Sequence, residues 1–455
     1  MVKRWMKMMT LTALLVASRL CMAAELSGKW IAEIGSTQGE PQYAHVLLQV
    51  DGAKVSGTWG SMKIDGTLMD GKLEIKLADE EGTAAGSMSA TLAGETFKGT
   101  GTITGGRARG GMVAGMGGGM GGGRAGRGGG GAPSQITLTR APMPPASPRT
   151  IKFDPTNFFA TYTADNKPAL KIFPGDIVDT WTADAGGVDA KGVRHRGGDS
   201  NIGPFYVEGA LPGDTLAIHL LKVRTNRTTA HQGTRINPHA VTAQYLVSAK
   251  YDPAVTGDWT LLPDKGIAVP THPSEHMKNY SVPMKPMLGC ISVAPAGDEQ
   301  FRGGDLGPFG GNMDYNDNVE GTTVYLPVFH AGALLGMGDG HAAMGDGEVT
   351  GSALETSMDV AFSVDVIPGD SSGQPRAETK DYLISFGVTG SVPESIQVAT
   401  SQLATWIKSK YGLTDSEVAI LFASTLKYDI TELVDAKYNV VAKVPKSILA
   451  TMKAN

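Results

Sequence analysis

Four polar side chains lie close together in the glycine-rich segment MGDGHAAMGDGEVTG, residues 337–351. They are Asp339, His341, Asp346 and Glu348, and a strand-like apolar run precedes them. Carboxylate oxygens and one imidazole nitrogen form a ligand set that zinc, calcium or manganese accepts. The glycines let the backbone turn tightly enough to bring such groups together. The segment therefore predicts a divalent metal site. The alternative is a pair of solvated Asp-Gly turns in which Asp346 is only a turn residue.

A second glycine-rich run, GPFGGNMDYND, supplies two more oxygen-bearing side chains, Asn312 and Asp314. Because its composition is so similar to that of the first segment, these two residues are candidates for the same site. His330 ends the strand-like run that precedes the first segment. A lone histidine in that position is more often structural than a ligand.

The N-terminus has the composition of an export signal. A positive start at Lys3, Arg4 and Lys7 is followed by the apolar residues 8–18 and then by small residues that predict cleavage of residues 1–24. No later stretch reaches the roughly 18 consecutive apolar residues that a membrane span needs. We therefore expect an exported protein, periplasmic or secreted, with no stable membrane insertion after cleavage.

The charge of the mature chain excludes one class of partner. The sequence has 40 basic and 45 acidic residues, and removal of residues 1–24 takes away four basic and no acidic ones. The remaining 36 basic and 45 acidic residues give a net charge near −9. A protein of this sign has no electrostatic basis for binding nucleic acid. Cys290 is the one cysteine left after cleavage, so no intrachain disulfide can form.

Residues 25–141 predict a small antiparallel β domain. Runs such as KWIAEI and HVLLQVDGAKVSGTWG alternate apolar and polar positions, and Asp51-Gly52, Asp65-Gly66 and Asp70-Gly71 predict hairpin turns. Residues 105–131 are so rich in glycine that they predict a flexible loop. The run SQITLTR after them predicts a last strand that closes the domain across this loop.

Residues 148–455 predict a larger, mainly β domain of sandwich or barrel type with C-terminal helices. Runs such as GDTLAIHLLKV and TTVYLPVFHAG are typical of strands. Near the C-terminus, Leu403 and Ile407 belong to an apolar stripe with helical spacing. A second helix is predicted to begin at Thr414, because Glu417 stands three residues later in capping-box spacing.

Four segments, in order along residues 150–450, resemble the acetamidase/formamidase family. HAAMGDGEVTG resembles the family signature in which His-Ala is followed by Gly-Asp-Gly-Glu. FPGDIVDTWTADA and GPFYVEGALPGDTLAIHL resemble its Pro-Gly-Asp and Gly-Pro-x-x-Val-Glu-Gly-Ala segments, and GGNMD completes the set. The resemblance covers about two thirds of the chain, and four motifs in order are far more specific than any one of them.

The resemblance implies hydrolysis of a short aliphatic amide, such as formamide or acetamide, to the carboxylate and ammonia in a β-rich homo-oligomer. Position by position, it implies that His341, Asp314, Asp339 and Glu348 hold a divalent metal, zinc first and calcium as the alternative. It implies that Glu348 or Asp339 moves the proton from water to the departing nitrogen, a step that amide hydrolysis requires. Which of these two carboxylates is ligand and which is proton carrier stays open.

The resemblance also implies that Asn312 and Glu208 hold the substrate amide or orient a ligand. Two runs, HQGTRINPHA and THPSEHMKNYS, depart from the family pattern and add loop histidines. Loop histidines are usually solvated, so their role as further ligands is the less favoured interpretation. These histidines are His231, His239, His272 and His276.

Three other functions compete with this hypothesis. Cys290 lies in the apolar run MLGCISVA without an acid or base beside it, which is typical of an inert packing residue rather than a nucleophile. Ser371 in GDSSG fits Gly-x-Ser-x-Gly, but the neighbouring Pro368 and Gln374-Pro375 predict a surface turn. A non-catalytic exported binding protein with a metal-stabilised β scaffold would need no proton carrier, so Glu348 distinguishes it from an enzyme.

Overall fold

The computed structural model describes residues 26–36, 40–103, 133–370 and 373–452. The predicted signal peptide, residues 1–24, and the glycine-rich segment 105–131 lie outside the described residues. The chain divides into two compact units, Met1–Met143 and Pro144–Asn455. None of the helices in the described ranges has the length and apolarity to cross a bilayer.

The smaller unit is a closed antiparallel barrel in which each strand pairs with its neighbour in sequence. Residues 134–140 pair with both the first and the seventh strand, and so the run SQITLTR closes the barrel. The strands described in this unit are β1 (Gly28–Ile34), β2 (Gln42–Asp51), β3 (Lys54–Trp59), β4 (Met62–Met69), β5 (Lys72–Ala78), β6 (Ala84–Ala93), β7 (Thr96–Ile103) and β8 (Ser134–Arg140).

Two of the three predicted Asp-Gly turns join strands of the barrel, and the third does not. Asp51-Gly52 lies between β2 and β3, and Asp70-Gly71 lies between β4 and β5 with both residues at positive φ. The predicted turn at Asp65-Gly66 is wrong, because both residues lie inside β4. A Cβ on Gly66 would collide with the backbone of Glu74 on the adjacent strand. Gly66 therefore permits close strand approach rather than a turn.

The larger unit is also mainly β. Its described strands are β9 (Thr150–Lys152), β10 (Phe158–Phe159), β11 (Thr161–Tyr162), β12 (Leu170–Ile172), β13 (Ile177–Thr182), β14 (Asn201–Val207), β15 (Thr215–Thr225), β16 (Thr229–His231), β17 (Asp258–Leu262), β18 (Ile267–Pro270), β19 (Val282–Pro283), β20 (Met287–Ser292), β21 (Phe301–Arg302), β22 (Leu306–Gly307), β23 (Gly310–Asn312), β24 (Thr323–Pro327), β25 (Leu335–His341), β26 (Met358–Ile367), β27 (Arg376–Glu378), β28 (Tyr382–Thr389), β29 (Lys427–Glu432) and β30 (Tyr438–Pro445).

Two large sheets pack face to face in this unit and confirm the predicted sandwich-like fold. The first has the order β10-β14-β25-β20-β23-β22 with β12 beside β14, and the second has the order β29-β30-β28-β27-β24-β15-β26-β13-β9. One apolar cluster joins them, with Ile202 and Leu288 from the first sheet and Ile218 and Phe362 from the second. Two smaller sheets, β11-β21 and β16-β17-β18-β19, complete the unit.

The predicted C-terminal helices cover one end of the second sheet. The α-helices are α1 (Ala243–Ser248), α2 (Val392–Tyr411), α3 (Asp415–Thr425) and α4 (Lys446–Leu449), and the 3-10 helices are Pro238–Ala240, Pro263–Lys265, Glu275–Met277 and Asp346–Glu348. Leu403 and Ile407 of α2 are buried against β28 and β30, which confirms the predicted stripe. At the start of α3, Thr414 and Glu417 form the predicted capping box.

Candidate metal centre

One end of the first sheet gathers the polar segments of the larger unit. Strands β14, β25, β20 and β23 are neighbours there, and the register pairs Asn201 with Gly338, Met287 with His341 and Cys290 with Asn312. Asp339 and His341 thus stand at the end of β25, and Asp314 follows β23 directly. The sheet order brings together two segments that the sequence separates by more than twenty residues.

His341 lies at the centre of this cluster, and its side chain is 1% exposed. Its Nε2 atom is 3.3 Å from Asp339 Oδ1 and 3.2 Å from Glu355 Oε1. The same atom is 3.8 Å from Glu348 Oε1, and Nδ1 is 3.8 Å from Asp314 Oδ1. We call Asp314, Asp339, His341, Glu348 and Glu355 the His341 group.

Several buried ligand atoms of the His341 group form no hydrogen bond of correct geometry, although His341 Nε2 lies at ion-pair distance from Asp339 and Glu355. They include both carboxylate oxygens of Asp314, Oδ1 of Asp339, both ring nitrogens of His341 and Oε2 of Glu355. A buried polar atom without a partner is costly, so such atoms cluster where an ion satisfies them. The donor set, one imidazole and several carboxylates, is what a divalent cation accepts. The residues present therefore fit a metal ion, and this buried cluster could bind one.

The backbone is strained where it presents these carboxylates. Asp199, Asp314, Asp339 and Glu348 all have positive φ, between 40° and 57°. Residues other than glycine rarely adopt this region, and such strain is typical of functional sites. Gly289 on β20 makes the matching space, because a Cβ there would collide with the carboxylates of Asp339 and Asp314.

A second set of acids adjoins the first. Carboxylate oxygens of Asp314, Glu432 and Asp435 all lie within 4.8 Å of one another, and we call these residues the Glu432 group. Asp314 belongs to both groups. Asn312 donates a hydrogen bond from Nδ2 to Asp435 Oδ2 at 2.8 Å and accepts one from the Cys290 thiol, also at 2.8 Å. Its amide is thus fixed between two neighbours, which fits the role of orienting a ligand that the sequence also predicts.

Burial dominates the electrostatics of the carboxyls around the centre. It raises the pKa of Asp199 to about 8, and repulsion from Asp339 and Asp435 adds to the effect. Burial likewise raises the pKa of Glu355 to about 7, although the charge of His341 opposes it. For Glu432, burial and then Asp435 raise the pKa to about 8. Without a cation, these groups keep protons that a solvated acid would lose.

In the three innermost side chains, burial and the neighbouring charges also shift the pKa. Burial opposes protonation of His341, but the Glu355 and Asp339 carboxylates outweigh it and raise the pKa well above its usual value. Burial and repulsion from Glu348 raise the pKa of Asp314 well above its usual range. Burial also raises the pKa of Glu348, against the attraction of His341. Strongly shifted groups of this kind are characteristic of functional sites.

The structure leaves some predicted site residues outside the centre. Glu208 follows the far end of β14, roughly 20 Å from Asn201 at about 3.3 Å per residue, and its carboxylate pairs with Lys171 at 3.4 Å. Glu208 is therefore not in position to hold a substrate at the His341 group. Asp346 is an exposed residue of a 3-10 turn that accepts a hydrogen bond from Asn316.

The other histidines of the sequence analysis have structural or solvated positions. His330 donates a hydrogen bond to the carbonyl oxygen of Pro295 at 2.7 Å. His231 is exposed and pairs with Asp258 on the neighbouring strand β17. Neither of them, nor any other loop histidine, belongs to a ligand group within the described ranges.

Cys290 is buried, but its surroundings are not the purely apolar ones that the sequence predicts, because its Sγ atom lies 4.0 Å from Asp339 Oδ2. It is fully buried, and burial together with the Asp339 carboxylate raises the pKa of its thiol well above the usual value. A thiol held in its neutral form is a poor nucleophile. Ser371 lies outside the described residues.

Sequence reasoning missed four acids that the fold brings to the centre: Asp199, Glu355, Glu432 and Asp435. Glu355 stands only seven residues after Glu348, but in the run SALETS, which has none of the glycine spacing of the first segment. Glu432 ends β29 and Asp435 follows it, in the run TELVDAKY, which by itself is typical of a solvated loop. Three of these acids have no local sequence signal. Asp199 is the exception, because it follows two glycines in the run GGDSN and has a positive φ.

Comparisons with known proteins agree with the residues of this centre. The model of the acetamidase/formamidase family matches residues 308–449, which contain Asn312, Asp314, both glycine-rich runs and the Glu432 group. A comparison with curated proteins finds no significant match.

Solved structures with similar folds extend the likeness over the whole larger unit. A predicted acetamidase/formamidase from Thermoanaerobacter tengcongensis is 26% identical with a TM-score of 0.57, over 68% of this chain and 99% of that one. An acetamidase from Yersinia enterocolitica is 27% identical with a TM-score of 0.56, over 66% of this chain and 93% of that one. An acetamidase from Bacillus halodurans is 26% identical with a TM-score of 0.56, over 66% and 99%. The matching signature, its position at the convergent end of the first sheet and these likenesses together show that the chain is similar to the acetamidase/formamidase family.

Proposed function

We propose that this chain hydrolyses a short aliphatic amide, such as formamide or acetamide, with a divalent cation held by the His341 group. The observation that carries the proposal is the set of buried, unpartnered ligand atoms on Asp314, Asp339 and His341. Similarity to the acetamidase/formamidase family supports amide hydrolysis as the reaction. Similarity to solved acetamidases supports formamide or acetamide as the substrate class.

The chemistry needs a stronger electrophile and nucleophile than amide and water provide at neutral pH. A divalent cation held at this centre would supply both, because a bound cation polarises a carbonyl and lowers the pKa of water. The carbon–oxygen bond to water forms, the carbon–nitrogen bond breaks, and the products are the carboxylic acid and ammonia, which exchange one further proton at neutral pH to give the carboxylate and ammonium. One proton must pass from the attacking water to the departing nitrogen.

Glu348 is the proposed carrier of that proton. It stands on a 3-10 turn beside the cluster, and its Oε1 atom is 3.8 Å from His341 Nε2. A carboxyl whose pKa is raised towards the working pH both accepts and donates a proton readily. Asp339 is the alternative carrier, because its Oδ1 atom is 3.3 Å from the same nitrogen.

The proposed substrate is small because the centre is deeply buried. Asp314 and His341 have no exposed surface, and Glu348 is 8% exposed. Asp199 and Asp435 are less buried and mark the more open side of the centre. Zinc is the proposed cation, since one imidazole with carboxylates suits it, and calcium is the alternative.

The test is Glu348→Gln, which keeps the shape of the side chain and removes its proton-carrying oxygen. We expect ammonia release from formamide or acetamide to fall by roughly 10²- to 10⁴-fold with the metal content unchanged. Glu320→Gln is the matched control, because Glu320 pairs with Arg224 on the surface and should behave as wild type. Full activity of Glu348→Gln would exclude this residue as the carrier.

The second candidate function is a non-catalytic exported binding protein with the same metal-stabilised scaffold. It is favoured if the protein holds its cation and releases no ammonia from any amide of a series from formamide to longer chains. Elemental analysis beside that screen separates the two functions and identifies the cation.

Export, assembly and domain organisation are proposed on the sequence. We propose that residues 1–24 are removed and that the mature, periplasmic or secreted protein begins at Glu25, as a homo-oligomer whose domains are residues 25–141 and 148–455. N-terminal sequencing and intact mass of the protein recovered from outside the cytoplasm test the first point. Light scattering on the purified protein tests the second, and limited proteolysis tests the domain boundary.

A further inference from the structure

We propose that a second divalent cation lies beside the first, held by Asp314, Glu432 and Asp435, with Asp314 as the carboxylate that bridges the two cations. The inference deepens the proposed function and rests on it for the cation at the His341 group. Carboxylate oxygens of the three residues lie within 4.8 Å of one another, close enough to surround one ion.

The two buried acids of this group each offer oxygen atoms that no protein donor satisfies. Asp314 is 0% exposed, and neither of its carboxylate oxygens has a hydrogen-bond partner. Glu432 is also 0% exposed, and its Oε2 atom has no partner. An unpartnered oxygen at this depth is expensive unless an ion occupies the space that it faces.

The other oxygens of the group are fixed in place by the protein. Glu432 Oε1 accepts hydrogen bonds from the backbone amides of Val434 and Asp435. Asp435 Oδ2 accepts a hydrogen bond from Asn312 Nδ2 at 2.8 Å. Fixing one oxygen orients the other, as partners of metal-binding side chains do.

Asp314 differs from the other two because both of its oxygens are available. Its Oδ1 atom is 3.8 Å from His341 Nδ1, so the same carboxylate that faces the Glu432 group also faces the His341 group. A shared carboxylate is how paired cations about 3.5–4 Å apart are held in two-metal sites.

The charge of the centre also calls for more than one cation. The carboxylates gathered there are Asp199, Asp314, Asp339, Glu348, Glu355, Glu432 and Asp435. Within the described ranges of the chain, none of these seven forms an ion pair with a lysine or arginine, and His341 is the one cationic partner. One divalent ion and one imidazolium leave most of this negative charge without compensation.

The two groups differ in the cation that they suit. The His341 group contains a nitrogen ligand, whereas the Glu432 group contains oxygen ligands alone. Oxygen-only sites favour hard cations such as Mg²⁺, Mn²⁺ or Ca²⁺. The second cation therefore belongs to this class.

The test measures cations per chain in the full-length protein by elemental analysis after dialysis against limiting metal. We expect two in the wild type and one in Glu432→Gln, with the cation of the His341 group retained. Glu378→Gln is the matched control, because Glu378 pairs with Lys446 away from the centre and should keep two cations. Circular dichroism establishes that each variant is folded.

A second variant and a second measurement cover a failure of Glu432→Gln to fold. Asp435→Asn should bind the second cation about 10- to 100-fold more weakly. The Mn²⁺-loaded wild type should show the magnetic coupling of two bridged ions in its electron paramagnetic resonance spectrum. One cation in the wild type, two in Glu432→Gln, or uncoupled Mn²⁺ overturns the second site. A protein without any cation overturns the proposed function as well, while one cation with intact amide hydrolysis overturns the second site alone.

Discussion

The two units of this protein are both built mainly from antiparallel strands around an apolar core, yet within the described residues the larger unit alone also buries carboxylates. Within the described part of the barrel, every buried side chain is apolar, with Trp30, Trp59 and Phe97 among the largest. The larger unit buries a comparable apolar core and, beside it, a cluster of carboxylates around His341. Burial of charge opposes folding. A protein keeps buried charge where an ion or a reaction requires it, so the difference assigns the chemistry to the larger unit.

The strained backbone is distributed in the same way. In the barrel, Asp70 is the described non-glycine residue with positive φ, and it serves a tight turn between β4 and β5. In the larger unit, four acids of the metal centre have positive φ. The strained residue of the barrel serves a turn, whereas four of the strained residues described in the larger unit present carboxylates to the His341 and Glu432 groups or beside them; Ala333 and Leu334 are the other two.

The largest expected effect comes from removing the central imidazole. His341→Ala should abolish binding of the first cation. The rate of amide hydrolysis should fall about 10³-fold or more, which corresponds to a loss of several kcal/mol of transition-state stabilisation. Metal analysis and ammonia release measure both losses. His330→Ala is the control, since His330 only donates to Pro295, and equal losses in both variants would contradict the assignment.

In the barrel, we expect a mutation to lower the stability of the fold without lowering the rate of amide hydrolysis. Trp30→Ala should reduce the free energy of unfolding of the barrel by about 3–5 kcal/mol, because it removes a fully buried aromatic side chain. Hydrogen exchange of the barrel strands measures the change. We expect kcat per bound cation to stay at the wild-type value. A fall in kcat would contradict the assignment of the chemistry to the larger unit alone.

A smaller effect is expected from filling the space beside the ligands. Gly289→Ala places a Cβ against the carboxylates of Asp314 and Asp339, so metal affinity should fall by roughly 10- to 100-fold. Titration with the cation by calorimetry measures the affinity. Gly52→Ala in the barrel is the control, because a Cβ at Gly52 meets no atom within 4 Å. Unchanged affinity in Gly289→Ala would mean that the carboxylates do not hold the ion in this position.

The smallest effect is an acid dependence of the stability of the larger unit. Burial opposes ionisation of Asp176, but hydrogen bonds from Arg149 and from the Phe173 amide outweigh it and lower the pKa of this carboxyl. A lowered pKa in the folded state contributes stability above the unfolded value of 3.8, and this contribution is lost as pH falls through the folded pKa.

We therefore expect the larger unit to lose stability as the pH falls below about 4, and Asp176→Asn to flatten this dependence. Acid unfolding followed by hydrogen exchange in each unit provides the measurement. An equal acid dependence in the wild type and in Asp176→Asn would show that other carboxyls govern it.

Some family motifs that identify the fold act as structural turns. In the first Pro-Gly-Asp segment, Asp176 accepts hydrogen bonds from the Phe173 and Arg149 amides. In the second, Asp214 accepts from the Leu211 and Gly369 amides. Their carboxylates satisfy backbone donors and are not free for catalysis. A sequence motif by itself does not distinguish such a turn from a ligand, because both use an aspartate beside glycine.

The sequence by itself determined the strand-rich fold class, the C-terminal helices and the central part of the metal centre. Alternating apolar positions and the stripe through Leu403 and Ile407 are local patterns, and local patterns follow from the strand and helix periods. His341, Asp339 and Glu348 could be found because they lie within one short glycine-rich run. Asp314 was found through a second run of the same composition.

Only the tertiary structure decided which other acids join them and which predicted residues do not. Glu432 and Asp435 reach Asp314 across more than a hundred residues of chain, and Glu208 is carried away from the centre by the length of β14. These outcomes depend on sheet order and register, which are long-range properties. Whether a carboxylate is solvated or buried without a partner is likewise set by packing, and the buried cluster that results could bind a metal ion.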